Sequence, residues 1–209
     1  MPYFGKEPIS SPSQTIGTGA AEDIKILFDG NAVDYHIGLD DTADDLVIGK
    51  GTALGTTTSI AIDENGIIRS PLQPAFSAIL STNQNNVSGL TTIQFDTEQF
   101  DTNADFNTSN YTFTAPVDGR YQMNLLIKWH NADAAASYHE TEILTSDGEV
   151  YINLTGAILA ADSYMQQNGS LIIAMDAGDT AIARTTVSGG TAQADIDAGE
   201  SFFSGHLIG

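Results

Sequence analysis

Cysteine is absent from all 209 residues, and three options go with it: a disulfide framework, a thiolate metal site and a cysteine nucleophile. Durability outside a cell would then rest on packing or on association between copies. Positive charge is nearly as scarce, with 7 Lys and Arg against 27 Asp and Glu, for a net charge of -20 and an isoelectric point near 4.1. A nucleic-acid binder must displace counterions from phosphates with a basic footprint, and docking on anionic lipid has the same requirement, so neither partner is expected. The carboxylates read first as a solvating surface that works best where salt screens their repulsion. Long apolar runs are missing too, and none approaches the ~18 residues of a membrane-spanning helix. Residues Met1 to Ser10 lack the charged start and apolar stretch of a secretory signal, so the expectation is synthesis in a cytoplasm and release by another route.

What the chain does carry is short alternating apolar runs, and a hydrophobic content of 41% is enough for a core. Residues 1–21 are broken by Pro2, Pro8 and Pro12 but hold Tyr3, Phe4, Ile9 and Ile16, the pattern of an extended arm that a partner orders. Residues 22–70 contain the runs Ile24 to Phe28, Tyr35 to Leu39, Leu46 to Ile48 and Ser59 to Asp63, then Gly66 to Ile68. Turn signals at Asp29-Gly30, Asp40-Asp41, Gly49-Lys50-Gly51 and Asn65-Gly66 separate them. Strands this short bury little apolar area alone, so other copies of the chain are expected to complete this segment. The stretch Ser70-Pro71-Leu72-Gln73-Pro74 reads as an extended boundary.

Beyond it the spacing predicts about nine strands: Ala75 to Ser81, Thr91 to Phe95, Tyr111 to Phe113, Gly119 to Trp129, Ser137 to Leu144, Val150 to Leu159, Ser170 to Met175, Thr180 to Val187 and Ser201 to Ile208. That pattern means an all-β sandwich or jelly roll. Tyr121, Met123 and Leu125 alternate onto one face, and Gly119 after Asp118 reads as a turn position with positive φ. In the final run Phe203, Leu207 and Ile208 are the inward candidates, so the end of the chain is expected to be part of the fold.

Few residues suggest chemistry. Two acidic clusters, Asp40, Asp41, Asp44 and Asp45, and Asp96, Glu98, Asp101 and Asp105, hold oxygen ligands of the kind calcium requires. Neither has the spacing of an EF-hand loop, and solvated turn carboxylates are the first reading. His36, His130, His139 and His206 each stand alone. A three-fold axis could gather three copies of one of them around a metal, although packing or surface roles are the ordinary explanation. On a strand, His139 faces away from Glu140 and Glu142. There is no Gly-x-Ser-x-Gly elbow, no phosphate-cradling loop and no nominated carboxylate pair, so neither an enzyme nor a cofactor is expected. Trp129 and Tyr138 flank the segment Asn131 to Ser137, an arrangement that suits either a sugar platform or packing. Because Trp129 closes an alternating run, packing in the core or between copies is favoured.

The blocks Phe106 to Phe113, Pro116, Gly119, Tyr121 to Leu125, Ala177 to Thr180 and Ser201 to Gly205, preceded by Pro74 to Ala78, resemble the globular head of the complement C1q and tumour necrosis factor family. The resemblance spans roughly residues 75–209 and implies a ten-strand jelly roll that associates side by side as a homotrimer. In that frame Phe113, Tyr121, Met123, Leu125, Phe203 and Leu207 become the core and trimer-packing residues. The family commonly carries aromatics where Met123 and Leu125 stand. Animal members sit on collagen stalks, but no Gly-X-Y period is present. Instead Phe28 to Asp41 and Asp44 to Gly51 resemble a connector of structural proteins and fibres of marine bacteriophages.

Together these readings imply a virion protein with an arm at 1–21, anchored through Tyr3, Phe4 and Ile9 to a major capsid protein or tail component. An intertwined trimeric β connector at 22–70 and an outward-facing head at 75–209 follow. Because the chain is too short for a long shaft, a capsid decoration or head fibre is expected. The alternative is a tail fibre or receptor-binding tip for host attachment that recognises a surface glycan or protein.

Overall fold

The computed structural model of the chain describes residues 15–148, 150–158, 163–190 and 194–209, and the virion-anchor candidates Tyr3, Phe4 and Ile9 lie outside them. The chain divides into two compact units, Met1–Leu72 and Gln73–Gly209. The first holds an antiparallel sheet whose strands follow chain order: β1 (Ile24–Phe28), β2 (Tyr35–Asp40), β3 (Asp45–Lys50), β4 (Thr58–Ile62) and β5 (Ile68–Arg69).

Short polar turns make that meander possible. Asp40 Oδ1 accepts the amides of Thr42 and Ala43 at 3.1 and 3.3 Å, and Asp63 Oδ1 accepts those of Asn65 and Ile67, both at 2.9 Å. The register then sorts the alternating residues onto two faces. One carries a row Ile24, Leu39, Leu46, Ile62 and Ile68, and beside it a row Ile26, Ile37, Ile48 and Ile60. The other carries His36, Gly38, Val47, Gly49 and Ala61, all buried. Gly49 is needed there because a Cβ would meet His36 Nε2 and the Thr57 carbonyl, each at 2.7 Å. His36 Nδ1 lies 2.9 Å from the Gly51 carbonyl, and Arg69 pairs with Asp45 at 2.6 Å.

The second unit is a two-sheet sandwich built from β6 (Ala75–Ile79), β7 (Gln84–Val87), β8 (Gly89–Thr92), β9 (Thr97–Asp101), β10 (Phe106–Asn107), β11 (Thr112–Thr114), β12 (Gly119–Ala132), β13 (Ala136–Thr145), β14 (Val150–Gly156), β15 (Ser163–Met175), β16 (Thr180–Gly189), β17 (Ala194–Ile196) and β18 (Phe202–Leu207). One sheet runs β10-β11-β16-β13-β14 with β8 on β16. The other runs β7-β17-β12-β18-β6-β9 with β15 on β12. Between them the inward side of β12 is large (Tyr121, Met123, Leu125, Ile127, Trp129), whereas that of β16 is small (Ala181, Ala183, Thr185, Val187). Complementary volumes of this kind let two sheets close at ordinary packing density.

Several boundaries differ from the sequence reading. The strand expected at Thr91 to Phe95 ends at Thr92, and Ile93 and Phe95 enter the core from irregular backbone. The strand expected to begin at Ser170 starts at Ser163, because β15 pairs with the whole length of β12. Strands β7, β9 and β17 were not anticipated. Gly119 does not have positive φ; a Cβ there would press on Leu207 Cδ1 at 2.5 Å, the movable end of a partly exposed side chain. Ile208 is not an inward residue but 48% exposed, since β18 stops at Leu207.

Candidate interaction surfaces

Phe113, Tyr121, Met123, Leu125 and Phe203 are all buried in the core of a single chain, and Leu207 packs against that core while remaining partly exposed. Phe76 organises the aromatic part: its ring stacks on Phe113 at 4.8 Å and Phe106 at 5.0 Å, and meets Phe203 edge-on at 5.1 Å. The Tyr121 hydroxyl donates to the Val117 carbonyl at 2.7 Å, and burial pushes its pKa up. These side chains face inward, so what the same strands offer a partner is their other side.

That other side is unusual for so acidic a chain. Strands β15, β12, β18 and β6 are neighbours in one sheet, and none contains an Asp or Glu. Outward positions hold Gln122, Asn124, Ser170 and Ser204, joined by hydrogen bonds: Ser170 Oγ to Asn124 Oδ1 at 2.8 Å, Gln122 Nε2 to Ser170 Oγ at 3.2 Å and Asn124 Nδ2 to Ser204 Oγ at 3.5 Å. Ile172, 62% exposed, lies opposite Gln122. Around these four positions the surface carries no charge and its polar groups bond one another, with the cations Arg120 and Lys128 further along β12; the lack of carboxylates removes both the desolvation cost and the repulsion that they would bring to an interface.

One end of this sheet has a different character. Lys128 Nζ pairs with Glu200 at 2.9 Å and Asp197 at 3.3 Å and sits 5.1 Å from the centre of the Tyr164 ring, on which His130 stacks at 5.2 Å. Donation to the Glu200 carboxylate raises the Lys128 pKa, and the Gly199 amide holds Asp197 below the usual carboxylate range.

The acidic clusters serve turns. Asp45 is paired with Arg69 and Asp40 caps the β2–β3 turn. Asp96 accepts the Ser81 amide and hydroxyl at 2.7 and 2.6 Å, and the hydroxyl lowers its pKa. Asp101 accepts the amides of Asp105 and Phe106. Burial, with Asp101 nearby, raises the Asp105 carboxyl. Among the described residues no group of three His, Asp or Glu side chains is placed to hold a metal ion. His36 and His139 are buried within one chain. Glu142 pairs with Arg184 across the β13–β16 ladder.

Trp129 is not an exposed sugar platform. It is wholly buried, edge-on to His139 at 5.3 Å. Its Nε1 donates at 2.8 Å to Gln167, a residue that sequence reasoning missed. The Gln167 carbonyl oxygen also accepts from Thr141 at 2.7 Å, and its amide donates to the His139 carbonyl at 2.9 Å, the Asn153 carbonyl at 3.1 Å and Thr155 Oγ1 at 3.1 Å. One buried amide thus ties β12, β13, β14 and β15 together. Its only signal in the sequence is an inward position on a strand.

Residues 75–208 match the family model of the C1q domain. Among solved structures the globular domain of zebrafish complement 1qA is 16% identical, with a TM-score of 0.51, over 66% of this chain and 98% of that one. Eiger TNF from S. frugiperda is 12% identical at a TM-score of 0.51, over 66% and 92%. Murine APRIL at pH 5.0 is 8% identical at 0.50, over 65% and 99%. At these identities the structural likeness concerns the fold. No curated protein matches the chain in sequence.

Proposed function

The chain belongs to the C1q domain family, and from that premise we propose that it is a homotrimeric structural protein of a bacteriophage virion. Its second unit is a jelly-roll-like sandwich of the C1q and tumour necrosis factor fold, which is typical of non-enzymatic ligand- and receptor-binding proteins. The observation that carries the trimer is the absence of Asp and Glu from β15, β12, β18 and β6 in a chain of net charge -20. Copies this acidic approach one another only where the repulsion is removed. The placement in a virion rests on the likeness of Phe28 to Asp41 and Asp44 to Gly51 to phage connector segments. In this reading residues 1–21, with Tyr3, Phe4 and Ile9, anchor the trimer to a capsid protein, residues 22–70 join the copies and the jelly roll faces outward as a decoration or head fibre.

A receptor-binding tip is the second reading. Tyr164 is 65% exposed, stacked on His130 and beneath Lys128, and an aromatic face framed by polar groups is a platform for a sugar ring. Immunogold labelling of the particle separates the two. Label over the whole shell supports decoration, label confined to the tail supports recognition, and particles without label overturn the virion assignment.

A further inference from the structure

We propose that the apolar face of the β1–β5 sheet is a second self-association surface, on which copies of this chain pack through the row Ile26, Ile37, Ile48 and Ile60; this rests on the trimeric reading above. The register aligns these four isoleucines across four adjacent strands. Ile26 is 45% exposed, and Ile48 and Ile60 are each 40% exposed. The flanking row is equally apolar, and no Asp or Glu stands in either. A sheet with one apolar face is half of a two-layer arrangement and needs a second layer.

Size and charge identify the occupant. Strands ~4.8 Å apart and rising ~3.3 Å per residue give this sheet a face on the order of 400 Å². That is as large as the greatest apolar patch a monomer usually exposes, ~300–600 Å², yet only about half of the ~800 Å² per partner in a stable interface. The face therefore does not hold two molecules together alone. It suits an assembly whose copies are already joined through the carboxylate-free side of the sandwich, where this face adds to an association it need not found. A basic partner would be drawn to the acidic remainder of the chain, whereas another copy, itself at -20, is repelled everywhere except at surfaces such as this one. Of the chain's own N-terminal segment, Ile16 borders the near edge of this face beside Ile24, Ile26 and Ile37, and Met1 to Gln14 add only Tyr3, Phe4 and Ile9 as large apolar groups between three prolines, too few to cover the rest.

The lack of native cysteine makes the test clean. Ile26→Cys, Ile37→Cys, Ile48→Cys and Ile60→Cys are made singly in the full chain, with Leu27→Cys on the opposite face as the control. The proposal expects three-copy mass by light scattering and, under mild oxidation, covalent dimers formed at least about tenfold faster from one or more of the four than from the control. A three-copy mass with no link at any of the four positions overturns the proposal and leaves the trimer standing. Links absent until residues 1–14 are deleted overturn it too, because the chain's own arm is then the occupant. A single-copy mass overturns the trimeric reading itself, and this proposal with it.

Discussion

Gln167 satisfies every polar atom it presents, and its neighbours depend on it. Replacing it by Leu leaves the Trp129 indole N–H, the Thr141 hydroxyl and the carbonyls of His139 and Asn153 without this partner. Orphaned buried groups cost ~1–3 kcal/mol each, so chemical denaturation of Gln167→Leu is expected to show a loss of about 3 kcal/mol or more. Beside it, neither ring nitrogen of His139 has a hydrogen-bond partner, and burial holds its pKa below the ordinary 6.5, with Asp133 opposing. The neutral ring is the folded form, so the unfolded chain takes up its proton first as pH falls. Stability is therefore complete above about 6.5 and declines below it until the folded pKa is passed, by up to ~1.4 kcal/mol per pH unit. A His139→Phe variant, followed by thermal melts between pH 7 and 5, should lose that part of the slope. The large inward residues Tyr121, Met123, Leu125, Trp129 and Phe203 were legible from alternation alone. Gln167 was not, because a polar side chain at an inward position has no signature until its partners on three other strands are known.

At the scale of elements, apolar period and turn chemistry reveal the strands that form the core, and little reveals those at the margins. Strands β7 and β9 lie at the edges of their sheet. They are held by backbone ladders while most of their side chains meet solvent, so Gln84 to Val87 and Thr97 to Asp101 carry no period to read. Gly119 shows a second limit: what a Cβ there would press on is Leu207, distant in sequence, and its own backbone is ordinary. Gly205 repeats the lesson inside β18. A Cβ there would run into Met123 Sδ and meet the Phe76 ring at 2.8 Å. Overpacking a close-packed core costs ~1–3 kcal/mol, so Gly205→Ala is expected to lower denaturant stability by about that amount. An unchanged midpoint would mean that the two sheets separate readily at this end.

For the whole molecule, charge distribution matters more than charge. A trimer concentrates three times -20 in formal charge, so assembly should strengthen from very low to moderate salt as screening sets in. Its joining surface should also be sensitive to a single new carboxylate. Ser204→Asp, at the centre of the acid-free strands, is expected to weaken assembly at least tenfold in sedimentation, and a control Ser88→Asp should not. The sequence displayed the acidic bias plainly. It did not display that four neighbouring strands escape it, because β6, β12, β15 and β18 are scattered along the chain and meet only in the sheet. The most direct measurement is the mass of the full-length protein by light scattering at moderate salt. Three times 22.1 kDa, about 66 kDa, is the predicted result, and a stable 22.1 kDa species would contradict the account.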